Sequence, residues 1–394
     1  MISRNLRHLR LFLAVADLGT VTRAADLYNV SQPAVTQALG KLEAQAGGQL
    51  FDRTRQGFFL TPRGEVLAAR VARAFGRLDP ALTEIAPRLQ LTATAAQLQA
   101  LVAVAETENF TLAARQMGLS QPTVHRAVSQ LEQEAETPLF QRMAHGMAAT
   151  RACQSLARAA ELGFAELDQA EADLAELDGG EAGRIVIGSL PLARSVLLPQ
   201  VLARFRRHRP TLPVRVVDGL YDGLLAGLRR GAVDVMIGAL RQPAPIGDVV
   251  QEELFRDGLA FVAPPGHPLA RAGTLSPADL ADRAWVVPRS GTPAREGFER
   301  LFAEAGLPLP ASILEAGSIL LMRELLHRGD FLGCISAHQA AAEISRGLLD
   351  RLHVPETLPP RPIGLTFREG WLPTAAQAEM LALLRDEAAA IRKL

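Results

Sequence analysis

Three observations predict the fold class. One pattern occurs twice, 89 residues apart; a basic turn between two short extended runs follows the first occurrence; and the periodicity changes from helical to alternating strand and helix at Gly183. Together they predict two tandem, helix-rich winged helix-turn-helix domains followed by a two-lobed α/β domain. The chain has 394 residues, 48% of them hydrophobic, which is enough for two or three separate cores. Its 42 basic and 42 acidic side chains cancel, so the protein does not coat nucleic acid and any DNA binding must come from a local patch. Cys153 and Cys334 offer neither a disulfide framework nor metal-ligand spacing, as expected in a reducing compartment, and neither a cofactor nor a metal is expected. No apolar run has the length of a membrane span and MISRNLRHLR lacks a signal-peptide core, so the expected location is cytoplasmic.

The stretch Ser31 to Leu42, SQPAVTQALGKL, carries the pattern. Ser31 suits an N-cap and Pro33 the first helical turn, where a missing N–H costs nothing. Val35, Ala38, Leu39 and Leu42 fall on one helical face, leaving Ala34, Thr36, Gln37 and Lys41 on the other. That outer face is short-chained and hydrogen-bonding, as a helix reading base edges in the major groove requires. Upstream, Leu9, Phe12, Leu13 and Ala16 predict an amphipathic helix ended by Gly19, and Thr22 to Leu27 a second short one. Downstream, Gly47-Gly48 breaks the chain before LFDRTRQGFFLTPRG, a wing whose Arg53 and Arg55 are placed to meet phosphates.

Residues 9–62 align with 98–151 without a gap and with 20 identities in 54 positions, including Ser31-Gln32-Pro33 with Ser120-Gln121-Pro122 and Leu50-Phe51 with Leu139-Phe140. A period that occurs only twice indicates tandem duplication and not a solenoid. The copies differ in charge: residues 1–62 hold seven basic and four acidic side chains, residues 90–151 four and five. In the second wing Ala144 replaces Arg55 and Met143 replaces Thr54, which predicts weaker phosphate binding. Its recognition helix nevertheless offers His125 and Arg126 in place of Thr36 and Gln37, and an arginine there suits guanine. The first copy is expected to be the main reader, with the second a weaker reader or a structural partner.

The run from Leu9 to Gly64, with AAxxYNVSQPAVTQALGKLE followed by LFDRTRQGFFLTPRG, resembles the DNA-binding domain of LysR-type transcriptional regulators. Such proteins usually carry one copy, and the second is the main departure. The residues expected to face DNA are Ser31, Gln32, Pro33, Thr36, Gln37, Lys41, Arg53 and Arg55, with Ser120, Gln121, Pro122, His125 and Arg126 in the second copy.

A linker helix is expected after each wing. Leu67, Val71, Phe75, Leu78, Leu82, Ile85 and Leu89 keep the average spacing of a coiled-coil seam, interrupted at Asp79-Pro80 by a kink or by the start of a new helix. Leu156, Ala160, Phe164, Leu167 and Leu174 repeat the register before Gly179-Gly180. In the family resembled, this helix is the dimer seam. Two such helices in one chain pair either with each other, as an intramolecular pseudo-dimer, or with other chains in a homo-oligomer. The expected boundaries are 1–62 and 91–151 for the winged domains, 63–90 and 152–180 for the linkers, and 184–394 for the last domain.

From Gly183, RIVIGSL, VRVVDG and VDVMIGAL read as strands, with Leu197 to Phe205 and Tyr221 to Arg230 as helices, which predicts a mostly parallel sheet. LAFVAPPGHPLA closes the first lobe's run and leads into the second. Crossovers are expected near Val262 to Pro264 and Val354 to Pro362, with lobe I at about 184–262 and 363–394 and lobe II at about 265–355. The final strand IGLTFREGW and a helix from Thr374 to Lys393 return to lobe I. RIVIGSLPLARSVLLPQVLARF, LLAGLRRGAVDVMIGALR and VAPPGHPLA resemble the effector domain of the same family, which implies the type-2 periplasmic-binding-protein fold. GSLPLARS and DGLYDGLL also resemble the subgroup named for regulators of a galactose-binding protein.

Ligands of open α/β sheets bind at the carboxyl ends of strands beside helix N-termini. Ser189, Leu190, Arg194, Arg241, Ser290, Thr292 and Ser318 occupy such places, and their hydroxyls and guanidinium groups suit a small carboxylate or a sugar-like polyol. Each of these hydroxyls also suits a plain N-cap; His267 reads as a turn residue and Cys334 as core. The leading reading is a ligand-responsive transcription factor that binds double-stranded DNA. The alternatives are an enzyme built on the two-lobed domain, against which stands the absence of GxSxG, P-loop and metal-ligand motifs, and a solute-binding protein with the repeats as scaffold. No catalytic residue is assigned.

Overall fold

The computed structural model describes residues 4–143, 146–241, 243–244, 246–355 and 359–392. They form two compact units, one running to Arg184 and including Arg229–Ala232, the other comprising Ile185–Leu228 and the chain from Val233 onward.

The first unit begins with α1 (Leu6–Leu18), α2 (Val21–Leu27), α3 (Gln32–Ala46), the hairpin β1 (Phe51–Thr54) and β2 (Gly57–Leu60), and the long α4 (Pro62–Ile85). After the short α5 (Leu89–Thr92), the order recurs as α6 (Ala95–Thr107), α7 (Phe110–Met117), α8 (Gln121–Ala135), β3 (Phe140–Met143), β4 (Gly146–Ala149) and α9 (Arg151–Leu177). Local chemistry sets these boundaries. Thr20, Ser31, Thr61, Asn109, Ser120 and Thr150 each accept a backbone N–H at a helix start, an arrangement worth about 1 kcal/mol per cap. Gly19 and Gly47 close α1 and α3 in the left-handed region. The second segment has Glu108 and Glu136 at the corresponding left-handed positions, where a side chain costs roughly 1–2 kcal/mol.

Pro80 lies inside α4, which runs on to Ile85, so the break expected at Asp79-Pro80 starts no new helix. The helix ends instead at Ala86, which takes an extended backbone before Pro87, because the residue preceding a proline is pushed out of the helical region. Leu89, expected to continue the seam of α4, belongs to α5.

α4 and α9 pack antiparallel: Arg63 pairs with Asp178, Arg70 with Asp173, and Arg73 with Glu166, while Gly163 lies against Ala74 and Leu78. Both seams enter one apolar cluster that runs from Leu6 to Leu174 and takes in the buried faces of α1, α3, α6 and α8. Arg10, stacked over Phe75 with its guanidinium 4.0 Å from the ring and hydrogen-bonded to Asp79, fixes α1 on α4. Arg4 lies over Phe164 and pairs with Asp168 on α9, 2.5 Å away, so the N-terminal end of the chain grips both long helices.

The second unit contains β5 (Ile185–Ser189), α10 (Pro191–Val196), α11 (Leu198–His208), β6 (Val214–Asp218), α12 (Tyr221–Arg230), β7 (Val235–Ala239) and β8 (Val249–Asp257). Then follow β9 (Leu259–Ala263), a 3-10 turn at Pro268–Arg271, α13 (Pro277–Ala281), β10 (Ala284–Val287), α14 (Pro293–Glu304), β11 (Ile313–Glu315), α15 (Ile319–Arg328) and β12 (Phe331–Ser336). The unit ends with α16 (Ala337–Ile344), β13 (Asp350–Leu352), β14 (Arg361–Arg368) and α17 (Ala375–Ile391). Among the described residues these strands form two five-stranded sheets, in the orders β6-β5-β7-β14-β8 and β11-β10-β12-β9-β13.

Four of the five strands in each sheet run the same way, in keeping with the mostly parallel expectation; the exceptions are β14, antiparallel to β7 and β8, and β9, antiparallel to β12 and β13. The cause is the crossover, because a strand that leaves one lobe or returns to it enters the sheet from the opposite end. β9 belongs to the second sheet, so the first crossover falls between Asp257 and Leu259 and not at Val262 to Pro264. β8, which the sequence reading did not separate, is an edge strand of the first sheet. The second crossover joins β13 to β14, and residues 356–358 within it lie outside the described residues. Thr374 caps α17, whose expected last residue, Lys393, also lies outside them. The helix expected over Leu197 to Phe205 is α11, and a separate short helix, α10, precedes it.

Trp285, fully buried, meets Phe261, Phe298 and Phe302 edge to face in the second lobe and donates its indole N–H to the Leu280 carbonyl. Pairs of this kind add about 0.5–1.5 kcal/mol beyond burial.

Candidate functional site

The first unit presents two polar helix faces. On α3, Val35, Ala38, Leu39 and Leu42 are buried, while Ser31, Gln32, Pro33, Thr36, Gln37 and Lys41 are exposed. On α8, Val124, Val128 and Leu131 are buried, while Ser120, Gln121, Pro122, His125 and Arg126 are exposed. Periodicity alone placed these side chains outward, because a 3.6-residue repeat leaves them no other face. The His125 ring packs on Phe110 with centroids 5.0 Å apart, and its Nδ1 lies 3.3 Å from Ser129 Oγ, so α7 and α8 hold that imidazole.

Each hairpin is tied to the end of the first helix of its segment, α1 or α6, by one motif. Phe58 N–H donates to the Gly19 carbonyl at 2.9 Å, and Met147 N–H to the Glu108 carbonyl at 3.3 Å. Gly57 sits at φ +139°, where an added Cβ would lie 2.8 Å from the Gly19 carbonyl oxygen, so this position needs glycine. Arg55 is exposed at the tip of the first hairpin. Arg53 is exposed too, but its guanidinium pairs with Glu43 on α3 at 2.9 Å, which anchors the hairpin to the helix. In the second hairpin Met143 is exposed, and Ala144, the counterpart of Arg55, lies outside the described residues.

The second unit holds a cleft of about 830 Å³ between its two lobes. Leu190, Arg194, Arg241, Thr292 and Ser318 all line it. Gly238 permits this geometry: at φ +158°, an added Cβ would fall 2.5 Å from Leu190 Cβ, so only glycine lets Leu190 rest on the end of β7 and α10 begin at the cleft mouth. Two other expected residues are not among the lining groups. Ser189 is fully buried beneath the floor, its hydroxyl donating to the Leu190 carbonyl at 3.3 Å. Ser290 points its backbone N–H at Glu315, 2.9 Å away. The hydroxyls of Thr292 and Ser318 cap α14 and α15, so their oxygens already accept backbone N–H groups.

The sequence reading missed Tyr221, Arg289, Gln339 and Arg361, which share the lining. Arg289 adjoins the expected Ser290, and Tyr221 opens the helix after DGL, so position relative to strand ends was the available signal. Arg194 pairs with Asp218 at 3.0 Å. Arg241 stacks over the Tyr221 ring at 4.9 Å and donates to the Gly291 carbonyl at 3.2 Å, bridging the lobes. Burial pushes the Tyr221 phenol up, so it stays neutral. At the crossovers Asp257, completely buried, accepts from Ser336 Oγ at 2.9 Å, from His338 Nδ1 at 2.8 Å and from Arg361 Nη2 at 3.0 Å. This carboxylate joins β8, β12, α16 and β14 where the chain passes between lobes. Burial pushes both Cys153 and Cys334 up to about 12, which makes them inert thiols of the core. No helix among the described residues is long and apolar enough to cross a membrane.

Comparison with known proteins agrees with this geometry. The family model described as LysR substrate binding domain matches residues 178–389, and that of bacterial regulatory helix-turn-helix proteins of the lysR family matches residues 6–65 and 95–154. The chain is 37% identical over 387 residues to the HTH-type transcriptional regulator GalR of Pseudomonas putida, covering 97% of each protein. It is 32% identical to the HTH-type transcriptional regulator CbbR of Xanthobacter flavus, over 73% of this chain and 84% of that protein. Full-length OxyR from Pseudomonas aeruginosa, a solved structure 21% identical, covers 75% of this chain and 94% of its own with a TM-score of 0.54, and so shares the fold. A polar recognition face above a basic wing, a two-lobed cleft and these matches have one explanation: the chain belongs to the LysR family of DNA-binding transcriptional regulators, with an effector-binding domain.

Proposed function

We propose that the first unit is a tandem pair of winged helix-turn-helix domains, about residues 1–62 and 91–151, joined by linker helices at 63–90 and 152–180 and acting as an intramolecular pseudo-dimer on double-stranded DNA. The observation that carries this reading is the antiparallel packing of α4 on α9 within one chain, beneath two exposed polar helix faces. Two further facts support it: the helix-turn-helix family model matches both segments, and the alignment with GalR covers 97% of the chain. In α3, Gln37 suits an adenine edge and Thr36 and Lys41 flank it; in α8, Arg126 suits guanine. Arg55 supplies a phosphate contact in the first wing, with Arg53 beside it.

The domain at 184–394 takes a small effector between its lobes. Arg194, Arg241, Arg289 and Arg361 outnumber Asp218 and Glu315 in the lining, which favours a compound with a carboxylate. The aromatic face of Tyr221 and the resemblance to regulators of a galactose-binding protein favour a compact, sugar-like or ring-shaped body. Ser189 and Ser290 support the walls without touching it. An effector that binds the closed clamp more tightly than the open one shifts the population of DNA-bound states. These events take place in the cytoplasm.

Recovery of genomic DNA fragments on the intact protein tests this reading, with Gln37→Ala and Arg126→Ala run separately. Each substitution should degrade one half of the recovered motif by roughly 10- to 100-fold, since a bidentate base contact is worth about 1–3 kcal/mol. Loss of both halves with Gln37→Ala and no change with Arg126→Ala would reduce the second domain to a structural partner. No enriched fragment at low salt would overturn the DNA-binding assignment of the tandem pair.

A further inference from the structure

The seam between α4 and α9 is lined by charges that are not equivalent on its two sides, and resting on the tandem-pair reading above, we infer that these charges make it a surface fitting only the unlike helix of the chain and rejecting a second copy of itself. Arg70 on α4 is 1% exposed and reaches three side chains of α9: Nε donates to Asp173 at 2.7 Å, and Nη1 to Glu166 at 3.0 Å and to Gln169 at 2.8 Å. Arg73 adds a two-pronged contact to the same Glu166 at 2.8 and 3.1 Å.

The 89-residue offset shows what each alternative pairing would bring to this place. Opposite Arg70 and Arg73, a second α4 would present Arg77, Pro80 and Glu84 where α9 presents Glu166, Gln169 and Asp173. A buried guanidinium would then face a like charge and a proline ring, with Glu84 the one acceptor in place of Glu166, Gln169 and Asp173. A pair of α9 helices would set Glu166, itself buried, against Ala159 and Leu162, with no cation in the place of Arg70 or Arg73. Removing one partner from a buried ion pair costs more than the pair contributes, and building clashes against the wrong partner is how an interface gains specificity. The apolar part of the seam does not discriminate, because Phe75 and Leu78 recur as Phe164 and Leu167. Discrimination lies with the charges. As a consequence each chain presents one α3 face and one α8 face, and the two halves of its DNA site are unlike.

Disulfide trapping in the full-length protein tests this. Gly163 and Leu78 face each other with a Cβ separation of 3.9 Å once a Cβ is built on Gly163, within the range a disulfide needs. Leu78→Cys with Gly163→Cys should oxidise within the chain and run as a monomer on a non-reducing denaturing gel. Ala74→Cys alone reports like pairing, since Ala74 lies opposite Gly163, its own counterpart, and it should give no covalent dimer. Adding Glu166→Arg to the first pair should slow closure about tenfold or more, the ratio given by about 1.4 kcal/mol. Adding Arg70→Glu and Arg73→Glu to that variant should restore closure, which a fold-disrupting effect of the single change would not permit. Covalent dimers from Ala74→Cys, covalent dimers as the main product of the double cysteine variant, or closure indifferent to the charge reversals would each overturn the inference. DNA capture is measured on the same samples: dimers that still capture DNA refute only the seam's selectivity, whereas monomers that capture none refute the tandem-pair reading.

Discussion

Replacing Glu166 by alanine isolates the contribution of the buried charges to the first unit. The carboxylate is buried and serves two cations: Arg70, which keeps Asp173 and Gln169, and the half-buried Arg73, which turns to solvent. Breaking a buried ion pair outright costs about 3–5 kcal/mol. Because Arg70 retains Asp173 and Gln169, the expected loss is about 2–3 kcal/mol. For a unit of this size that lowers the melting temperature by roughly 5–10 °C. Hydrogen exchange read on peptides from α4 and α9 is the suitable assay, since it reports opening of this unit without interference from the other. Protection in both helices should fall together by roughly 30- to 150-fold, the ratio matching about 2–3 kcal/mol. Combining Glu166→Ala with Arg70→Met should cost less than the two changes added, by about 1 kcal/mol or more. A loss below about 0.5 kcal/mol, or additive effects, would show that Arg70 is satisfied without Glu166 and would refute the reasoning.

Other expectations follow from single residues. Arg55→Ala should weaken DNA binding evenly across sequences and reduce the slope of log affinity against log salt by about 1, as for one lost phosphate contact; a sequence-dependent loss would place Arg55 at a base. Gly64→Ala should unfold the first winged segment, because an added Cβ would lie 2.1 Å from the Leu50 carbonyl oxygen; a native melting profile would contradict that packing. Glu161 is pushed up to about 7, chiefly by burial, with the nearby Glu106 carboxylate adding to the rise. With its folded value above the unfolded one, stability declines as pH climbs toward about 7 and levels off above it. Glu161→Gln should therefore stabilise the protein at pH 8 and lose that advantage toward pH 4.5, which denaturation at several pH values checks.

Elements whose signal is local were legible from the residues alone. Ser31 and Ser120 start helices because a serine hydroxyl satisfies an orphan N–H wherever the rest of the chain lies, and the outward placement of Thr36, Gln37 and Lys41 follows from a period of 3.6 residues. The 89-residue repeat needed no coordinates. Tertiary structure alone decided features in which distant residues share one environment. Asp257 is legible as the end of a strand, but its role in joining both crossovers depends on Ser336, His338 and Arg361, which lie about 80 to 100 residues away. Ser189 and Leu190 are neighbours in sequence, yet strand alternation and the close approach at Gly238 bury the first and expose the second to the cleft. The mixed sheets arise where strands cross between lobes, and no strand's composition records the direction of its neighbour. Arg70 looks like any surface arginine on an amphipathic helix. Only the partner helix, 96 residues on at Glu166, makes it a buried cation, because burial and pairing are properties of two surfaces and a sequence displays them one at a time.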